Sequence, residues 1–407
     1  MYVTRPISRY ENNPQAAAGP PPEGPGSGIL VVEGDEAVER AANCWGLCRD
    51  SEVRGLPLAQ SRMAKVERTT EYLIAGDDDI SSEAFVESDD VVFVPVIGLP
   101  LSSNRYYVVR AEGKHIGMVS ACSKEEDKTT FCFYSRPKDV PARPFDHGDV
   151  YQQVELVQLK GGKGFRAEAV AADGIPPKYL RRKGWTIRTS SSTRYDNLTD
   201  SARGVDWPLR RRMPDLSGFG AGAKSSPPVV VGRWYCPFMF VRDGRRLKDQ
   251  VRRCMFYEMT LEQSWEEIYS RDNVHQGGGG GTVSATVRRS TALLGGADAV
   301  QGGGPQAVDG VLWFRPASSR SASAELGLDM VLWERMKWEL EKGGWVAAAG
   351  DGETKRIERV ERRGGRDRWD RFSCYLLVER FVLRRTDGSV ALTYDFRHTD
   401  KIRTLWS

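Results

Sequence analysis

The sequence predicts an α+β protein that is β-rich, built mainly from antiparallel strands and hairpins with a few short helices. Apolar runs rich in β-branched and aromatic residues recur along the chain, most clearly between Pro228 and Tyr269. Turn dipeptides such as Asp243-Gly244 and Asp387-Gly388 follow or separate such runs. Because helical crossovers do not alternate regularly with the strands, we do not expect a doubly wound nucleotide-binding fold.

The stretch from Pro228 to Tyr269 is expected to open the second half of the chain as a hairpin. Pro237 interrupts its first apolar run and cannot donate a hydrogen bond to a ladder, so it is expected at an edge or a bulge. From Met255 onward, apolar and polar residues alternate, which predicts a strand with one solvated face. A helix over residues 260–270 is the alternative, because a capping-box pattern begins at Thr260.

The remaining elements follow from the same patterns. A helix is expected over Glu36–Cys48, a short helix after Pro176-Pro177, and no regular pattern over residues 49–83. Residues 330–341 fit both a strand and a helix, and the alternation of apolar residues favours the strand. The other predicted strands are Gly28–Val32, Val91–Ile97, Tyr106–Arg110, Ile116–Ser120, Phe131–Tyr134, Tyr151–Leu159, Phe165–Ala171, Thr282–Leu294, Val311–Phe314, Tyr375–Leu383 and Val390–Phe396.

Composition shifts suggest how the chain is divided. Stretches rich in Ser, Gly, Ala and Pro cannot pack as regular elements and therefore mark boundaries. The predicted organisation is an irregular Pro/Gly-rich arm (1–28), an N-terminal β-rich half (29–188), a linker (189–227), and a C-terminal antiparallel β-rich half (228–407) with Gly-rich loops at 277–281 and 302–305.

Charge and composition favour some protein classes over others. The formal net charge is +4 over 407 residues and the basic runs are scattered, so there is no strong nucleic-acid signal. No run of about 18 apolar residues predicts a transmembrane segment. The first residues show no apolar signal-peptide core, and the seven cysteines are expected to be reduced, which favours a cytoplasmic or nuclear location.

Several long strings in the chain are recognisable together. They are MYVTRPISRY, PPPEGPGSG, CWGLC, LSSNRYYVVRAEGKHIG, CSKEED, RPFDHGDVYQQVE, DGIPPKYLRRKGW, VVVGRWYCPFMFV, FYEMTLEQSWEEIY, ERMKWE and VERFVLRRTDGSVALTYDFRHT. With them, essentially the whole chain resembles a flowering-plant family that is catalogued as domain of unknown function 1262. The resemblance implies plant origin and a whole-length architecture, and it brings no catalytic residues.

Two cysteines are the candidate metal ligands. Cys44 and Cys48 stand in a C-x3-C spacing, and zinc sites use such thiolates. A paired C-x2-C pattern would be the specific zinc signal, and this spacing lacks it. Cys122 and Cys132 could face each other across a hairpin. Small buried thiols explain these residues as well, so no metal or other cofactor is predicted.

Asp146, His147 and Asp149 are the candidate catalytic residues. Two carboxylates beside an imidazole can bind a divalent metal or transfer protons. The alternative is a turn, where Asp and Gly are expected in any case. His398 continues the apolar parity of the last predicted strand, so we expect a histidine at the edge of the core.

The candidate binding surface is Arg233, Trp234 and Tyr235, with core packing as the alternative for the aromatic pair. Since no motif assembles a catalytic set, we expect a non-enzymatic binding or interaction protein, with a role in plant stress or defence responses. The alternatives are a hydrolase or transferase that uses an Asp/His or dispersed site, and a membrane-associating β protein. The sequence leaves the partners open, with other proteins as one option.

Overall fold

The computed structural model describes residues 1–33, 51–75, 80–131, 134–194, 197–216, 222–273, 280–302, 310–317, 325–346, 354–362 and 369–407. The chain divides into two compact units. Unit 1 comprises Met1–Ala202, Pro237–Phe240 and Arg245–Phe256, and unit 2 comprises Arg203–Cys236, Val241–Gly244 and Tyr257–Ser407. The division after Ala202 falls inside the segment 189–227 that the sequence predicts as a linker.

Unit 1 is built mostly from strands. Its helices are α1 (Ser8–Asn12) and α2 (Lys178–Arg181), and a further helix, Leu247–Arg253, comes later in the chain. Its strands are β1 (Tyr2–Pro6), β2 (Gly28–Val32), β3 (Ser51–Glu52), β4 (Arg62–Ala75), β5 (Ile80–Pro95), β6 (Arg105–Arg110), β7 (Ser123–Lys124), β8 (Lys128–Phe131), β9 (Tyr134–Pro137), β10 (Gln153–Gln158), β11 (Phe165–Ala169), β12 (Gly174–Ile175) and β13 (Thr186–Arg194).

The main sheet of unit 1 has the strand order β11-β10-β6-β5-β4-β13-β3, with antiparallel neighbours. One face packs on a core that includes Tyr106, Leu156, Phe165, Trp185 and Ile187. The pair β1–β2 is parallel. The prediction of mainly antiparallel, β-rich structure is confirmed for this unit.

Several sequence predictions in unit 1 are wrong in detail. Residues 1–28 are not an irregular arm throughout, because β1 and α1 form there and the side chains of Met1–Val3 are buried. Ile116–Ser120 forms turns with two isolated bridges at Val119 rather than a strand. Residues 49–83 contain β3, β4 and the start of β5, which the sequence reading missed. The helix predicted over Glu36–Cys48 lies outside the described residues.

The buried residues of β4 explain why the sequence pattern did not predict this strand. Ala64, Val66 and Arg68 are buried at alternate positions of its first half, and Met63 beside them is buried on the other parity. Only one of these is a large β-branched residue, and one is an arginine that pairs with Glu87. A strand whose core-facing residues are small or charged gives a weak apolar alternation, so pattern reading finds no strand.

Unit 2 is organised around long antiparallel strands. Its helices are α3 (Trp207–Arg212) and α5 (Met330–Lys342). Helix α4 (Leu247–Arg253), which comes between them along the chain, belongs to unit 1. Its strands are β14 (Gly204–Val205), β15 (Val229–Pro237), β16 (Val241–Arg242), β17 (Phe256–Asp272), β18 (Gly280–Arg288), β19 (Ser290–Leu294), β20 (Ala297–Gly302), β21 (Val311–Pro316), β22 (Leu326–Asp329), β23 (Thr354–Arg362), β24 (Arg371–Arg384) and β25 (Val390–Trp406).

The large sheet of unit 2 runs in the order β16-β22-β21-β20-β19-β25-β24-β17-β15, and β18 pairs separately with β23. The strands β17 and β25 each span 17 residues and flank β24 on either side. This confirms the strand at 260–270 over the helix alternative, the central position of Tyr375–Leu383, and the hairpin at Asp387-Gly388. Within the described ranges, no helix is long and apolar enough to cross a membrane.

The strand predicted at 330–341 is wrong, because these residues form α5. Asp329 caps the helix, since its side chain accepts a hydrogen bond from the Val331 amide at 2.9 Å. The buried positions Leu332, Met336 and Leu340 lie four residues apart. Positions four apart share a helix face and also share strand parity, which is why the pattern fitted both structures.

Two predicted turn features have a different outcome from the one expected. Asp243-Gly244 leads into helix α4 rather than directly into a second strand, and Pro237 is the last residue of β15. In the predicted Gly-rich loops, Gly280 and Gly281 belong to β18 and Gly302 ends β20. Their other residues, 277–279 and 303–305, lie outside the described part of the chain.

Candidate functional site

Three polar side chains lie on one face at the centre of the unit 2 sheet. Gln263 of β17 stands directly opposite Glu379 of β24, so their side chains share a face. His398 of β25 stands opposite Leu377, two residues from Glu379, and therefore shares the same face. All three are at most 1% exposed, so strand register alone brings a buried polar cluster together.

Helix α3 supplies a buried cation to this cluster. Asp206 begins the helix by accepting a hydrogen bond from the Leu209 amide at 2.9 Å, and Pro208 lies in the first turn. Arg210, one turn further, donates from Nε and Nη2 to the two carboxylate oxygens of Glu379, both at 2.7 Å. This two-pronged ion pair is the strongest geometry that an arginine and a carboxylate can adopt.

The same arginine also contacts the end of helix α5. Its Nη1 donates to the main-chain carbonyl of Glu339 at 2.9 Å, an oxygen that also accepts a hydrogen bond from the Gly343 amide at 3.0 Å. The Glu339 side chain accepts from Nη2 of Arg335 at 2.6 Å. Burial raises the pKa of Glu339, although the charge of Arg335 opposes this.

The carboxylate of Glu379 has no remaining capacity for hydrogen bonds. Besides Arg210, it accepts from Nε2 of Gln263 at 2.9 Å and pairs with Nε2 of His398 at 3.0 Å. Four donors therefore fill the roughly four lone-pair positions of one carboxylate. Burial alone would raise the pKa of Glu379, but the hydrogen bonds and charges of Arg210 and His398 outweigh it and hold that pKa well below its usual range.

These bonds determine the orientation of the neighbouring side chains. An ionised carboxylate only accepts, so the Nε2 of His398 carries the donated proton and the amide nitrogen of Gln263 faces Glu379. Within the described residues, the Nδ1 of His398 and the Oε1 of Gln263 are buried without a hydrogen-bond partner. Glu379 thus acts as a positioning group that orients one arginine, one amide and one imidazole.

A cavity of about 620 Å³ opens beside this cluster. Its lining includes four basic side chains and one carboxylate: Arg210, Arg211, Lys342, Lys401 and Glu379. Since Arg210 neutralises Glu379, the remaining lining charge is positive. The size lies within the range of about 300–1,000 Å³ that is usual for small-molecule sites.

An aromatic and a flexible apolar side chain complete the wall of the cavity. Trp207 and Met213 belong to the lining, and the guanidinium carbon of Arg210 lies 5.0 Å from the centre of the Trp207 indole. A cation at this distance from an indole face is attracted by the ring. The cavity therefore combines cations with a surface that can contact a hydrocarbon body.

A bulge in β25 brings Lys401 to the cavity. The register with β24 shifts between Leu376, opposite Ile402, and Leu377, opposite His398, so residues 399–401 form an insertion in the strand. Bulges re-aim side chains in this way. Lys401 donates to the carbonyl of Gly343 at 2.8 Å, and its partial burial lowers the pKa of its ammonium group.

The candidate residues Asp146, His147 and Asp149 lie in a turn of unit 1. Asp146 Oδ1 accepts from the Gly148 amide at 2.9 Å, and Asp149 Oδ1 accepts from the Tyr151 amide at 3.1 Å. Asp149 also pairs with Arg143. Two cavities of unit 1, of about 610 and 380 Å³, are lined by other residues.

The other sequence candidates are placed as follows. Trp234 and Tyr235 are buried, whereas Arg233 is half-buried and pairs with Glu258 at 3.1 Å. The metal candidates Cys44 and Cys48 lie outside the described residues, as does Cys132. Cys122 is buried in the unit 1 core, and burial raises the pKa of its thiol to about 12. In the described ranges, no group of three His, Cys, Asp or Glu side chains is placed to hold a metal ion.

Sequence reading missed the unit 2 cluster, although a signal for it existed. Gln263 and Glu379 each occupy an apolar-parity position of a predicted strand, and His398 continues the apolar parity just beyond another, where a core residue is expected. A polar residue at such a position in one strand has many explanations. Its recurrence in three strands that proved to be adjacent is the signal, and it needed the strand order. Arg210 lay in the predicted linker and gave no signal of its own.

Comparisons with known proteins assign one part of the chain to a described domain. The crystal structure of Cry35Ab1 is similar to this chain, with a TM-score of 0.48 and 10% identity, covering 86% of this chain and 90% of that one. The comparison with curated proteins found no match. A family model described as "Protein of unknown function (DUF1262)" matches residues 23–133, all within unit 1. The chain thus contains, at residues 23–133, a domain of unknown function, and the unit 2 cluster lies outside it.

Proposed function

We propose that the protein binds a small organic anion in the unit 2 cavity and does not convert it chemically. The observation that carries this proposal is the placement of Arg210. Glu379 holds its guanidinium rigidly at the cavity wall, and the bonds to Glu379 and Glu339 use three of its five N–H groups. The remaining two can donate to a carboxylate, and Arg211 and Lys401 add positive charge to the same lining.

An organic anion fits the lining better than an inorganic one. Trp207 and Met213 offer apolar contact area, which inorganic phosphate cannot use. A carboxylate attached to a hydrocarbon chain would place its charge at the basic side chains and its body against these two residues. Both parts of the lining would then contribute to affinity.

The saturated state of Glu379 argues against this carboxylate as a general base, and His398, whose Nδ1 could accept a proton, does not belong to the cavity lining. A general base must accept a proton from the bound molecule, and each accepting position of this carboxylate is already occupied. The hydrolase or transferase alternative, which names Asp146, His147 and Asp149, stays a prediction, as does membrane association. Plant origin and a role in stress or defence stay predictions that the resemblance alone motivates.

Isothermal titration calorimetry of the full chain tests the proposal. We expect binding of octanoate, weaker binding of inorganic phosphate, and no binding of octylammonium, which has the same chain and the opposite charge. Replacing Arg211 by Met should weaken octanoate binding about fivefold, because one partly solvated charge at close range is worth about 1 kcal/mol.

The matched control is Arg253→Met. Arg253 is also an exposed arginine in the last turn of a short helix, and it does not line the cavity. It should leave octanoate affinity unchanged. Equal affinity for octanoate and octylammonium, or equal losses in the two variants, would contradict binding at this cavity.

A further inference from the structure

A second chamber adjoins the cavity described above, which we now call the first chamber. The second chamber has a volume of about 460 Å³ and also belongs wholly to unit 2. Met213 and Gln263 line both chambers. The two chambers therefore share a wall made of one flexible thioether side chain and one oriented amide.

The second chamber carries its own cations. Arg212 and Arg403 belong to its lining, together with the carboxylate of Asp215. The guanidinium of Arg403 lies 5.0 Å from the centre of the Trp265 indole and donates to the carbonyl of Pro214 at 3.5 Å. These contacts hold one positive charge in place on the far side of the shared wall.

Met213 occupies an unusual backbone conformation at this wall. Its φ of 59° and ψ of 158° lie in a region that is almost reserved for glycine. Such strain persists only where the surroundings impose it, and it concentrates at ligand-contacting positions. Immediately before it, α3 ends with Arg210, Arg211 and Arg212, of which the first two line the first chamber and the third lines the second.

We infer that the ligand of this site is an elongated dianion with one carboxylate in each chamber and an apolar linker that passes Met213 and Gln263. The inference rests on the proposed function and extends it, since it names the class of anion. One charge is bound by the basic side chains of the first chamber. The other is bound by Arg212 and Arg403, at the opposite end of the linker.

The test compares matched ligands by calorimetry on the full chain. Octanoate carries one carboxylate, and suberate has the same length and carries two. A series from glutarate to sebacate varies the distance between the charges. We expect the best dicarboxylate to bind about fivefold more tightly than the monocarboxylate of equal length, since it adds a second charge contact of similar strength.

Two variants assign the second contact. Arg403→Met should reduce the gain of the dicarboxylate and leave octanoate affinity unchanged. Arg212→Met should reduce the same gain. Because Arg212 is exposed, its loss should not impair folding, so this variant still tests the inference if Arg403→Met does not fold. Arg211→Met should instead weaken both ligands.

The outcomes separate the two proposals. Two results would show that the dianion inference is wrong while the proposed function stands, provided that octanoate binds and responds to Arg211→Met. In the first, dicarboxylates bind no more tightly than octanoate. In the second, they bind more tightly, but the gain in Arg403→Met and Arg212→Met is as large as in the unchanged protein. If neither octanoate nor any dicarboxylate binds, the proposed function itself is wrong.

Discussion

Each unit of this protein holds a histidine among charged side chains, and the two groups differ in what holds them. In unit 1, Asp146, His147 and Asp149 are neighbours along the chain, and both carboxylates accept main-chain amides of their own turn. In unit 2, Glu379 and His398 come from separate strands and are buried. Proximity along the chain reflects turn chemistry here, whereas convergence in space depends on the register of the sheet.

The largest expected effect tests whether the unit 2 cluster needs its central charge. Glu379→Gln removes the close counter-charge of the buried Arg210 guanidinium and leaves only the Glu339 carboxylate, 3.9 Å away and shared with Arg335, so we expect the free energy of unfolding to fall by about 3–5 kcal/mol. Urea denaturation followed by tryptophan fluorescence measures it. The double variant Arg210→Met with Glu379→Leu should recover most of the loss, since it removes both charges.

Acid titration gives a second reading of the same pair. Because Arg210 and His398 lower the pKa of Glu379 from its usual value of 4.5, ionised Glu379 favours the folded state at higher pH. This contribution is lost as the pH falls below that value toward the lowered pKa. Stability should therefore decline less steeply with acid in Glu379→Gln. Identical acid limbs, or a loss below 1 kcal/mol at neutral pH, would contradict the structure of the cluster.

An intermediate effect is expected from crowding the arginine. A Cβ added at Gly343 would collide with the guanidinium of Arg210, which Glu379 prevents from moving aside. Overpacking of this kind costs about 1–3 kcal/mol. We expect Gly343→Ala to lower the urea midpoint and to weaken octanoate binding together. In the control Gly55→Ala the added methyl meets nothing within 4 Å, so neither quantity should change.

The smallest effect is expected in the unit 1 turn. Asp149→Ala removes a side-chain cap and the pair with Arg143, for a loss of about 1 kcal/mol. Octanoate affinity should be unaffected, because the turn does not line the unit 2 cavity. Asp149→Asn keeps an oxygen acceptor and should retain most of the stability. A loss of octanoate binding in Asp149→Ala would contradict the conclusion that the unit 1 turn plays no part in ligand binding.

The sequence was sufficient for much of the architecture and for little of the candidate site. Strands with clear alternation, such as the one from Phe256 to Asp272, were predictable because each strand buries one face. Helix α5 was not, because residues four apart satisfy both periods. The cluster escaped because Gln263, Glu379 and His398 are separated by 116 and 19 residues, and only the pairing of three strands joins them.

The insertion in β25 has a consequence for how the protein could be monitored. Glu379 faces the cavity only while β24 keeps its register with both neighbours, and a slip of one residue would turn it to the opposite face. Alternative alignments of β25 with β24 differ in where they place the insertion at residues 399–401, and only one alignment keeps His398 beside Glu379. Anion binding would thus report correct strand alignment, and a loss of binding in chains that stay β-rich by circular dichroism would identify misregistered molecules.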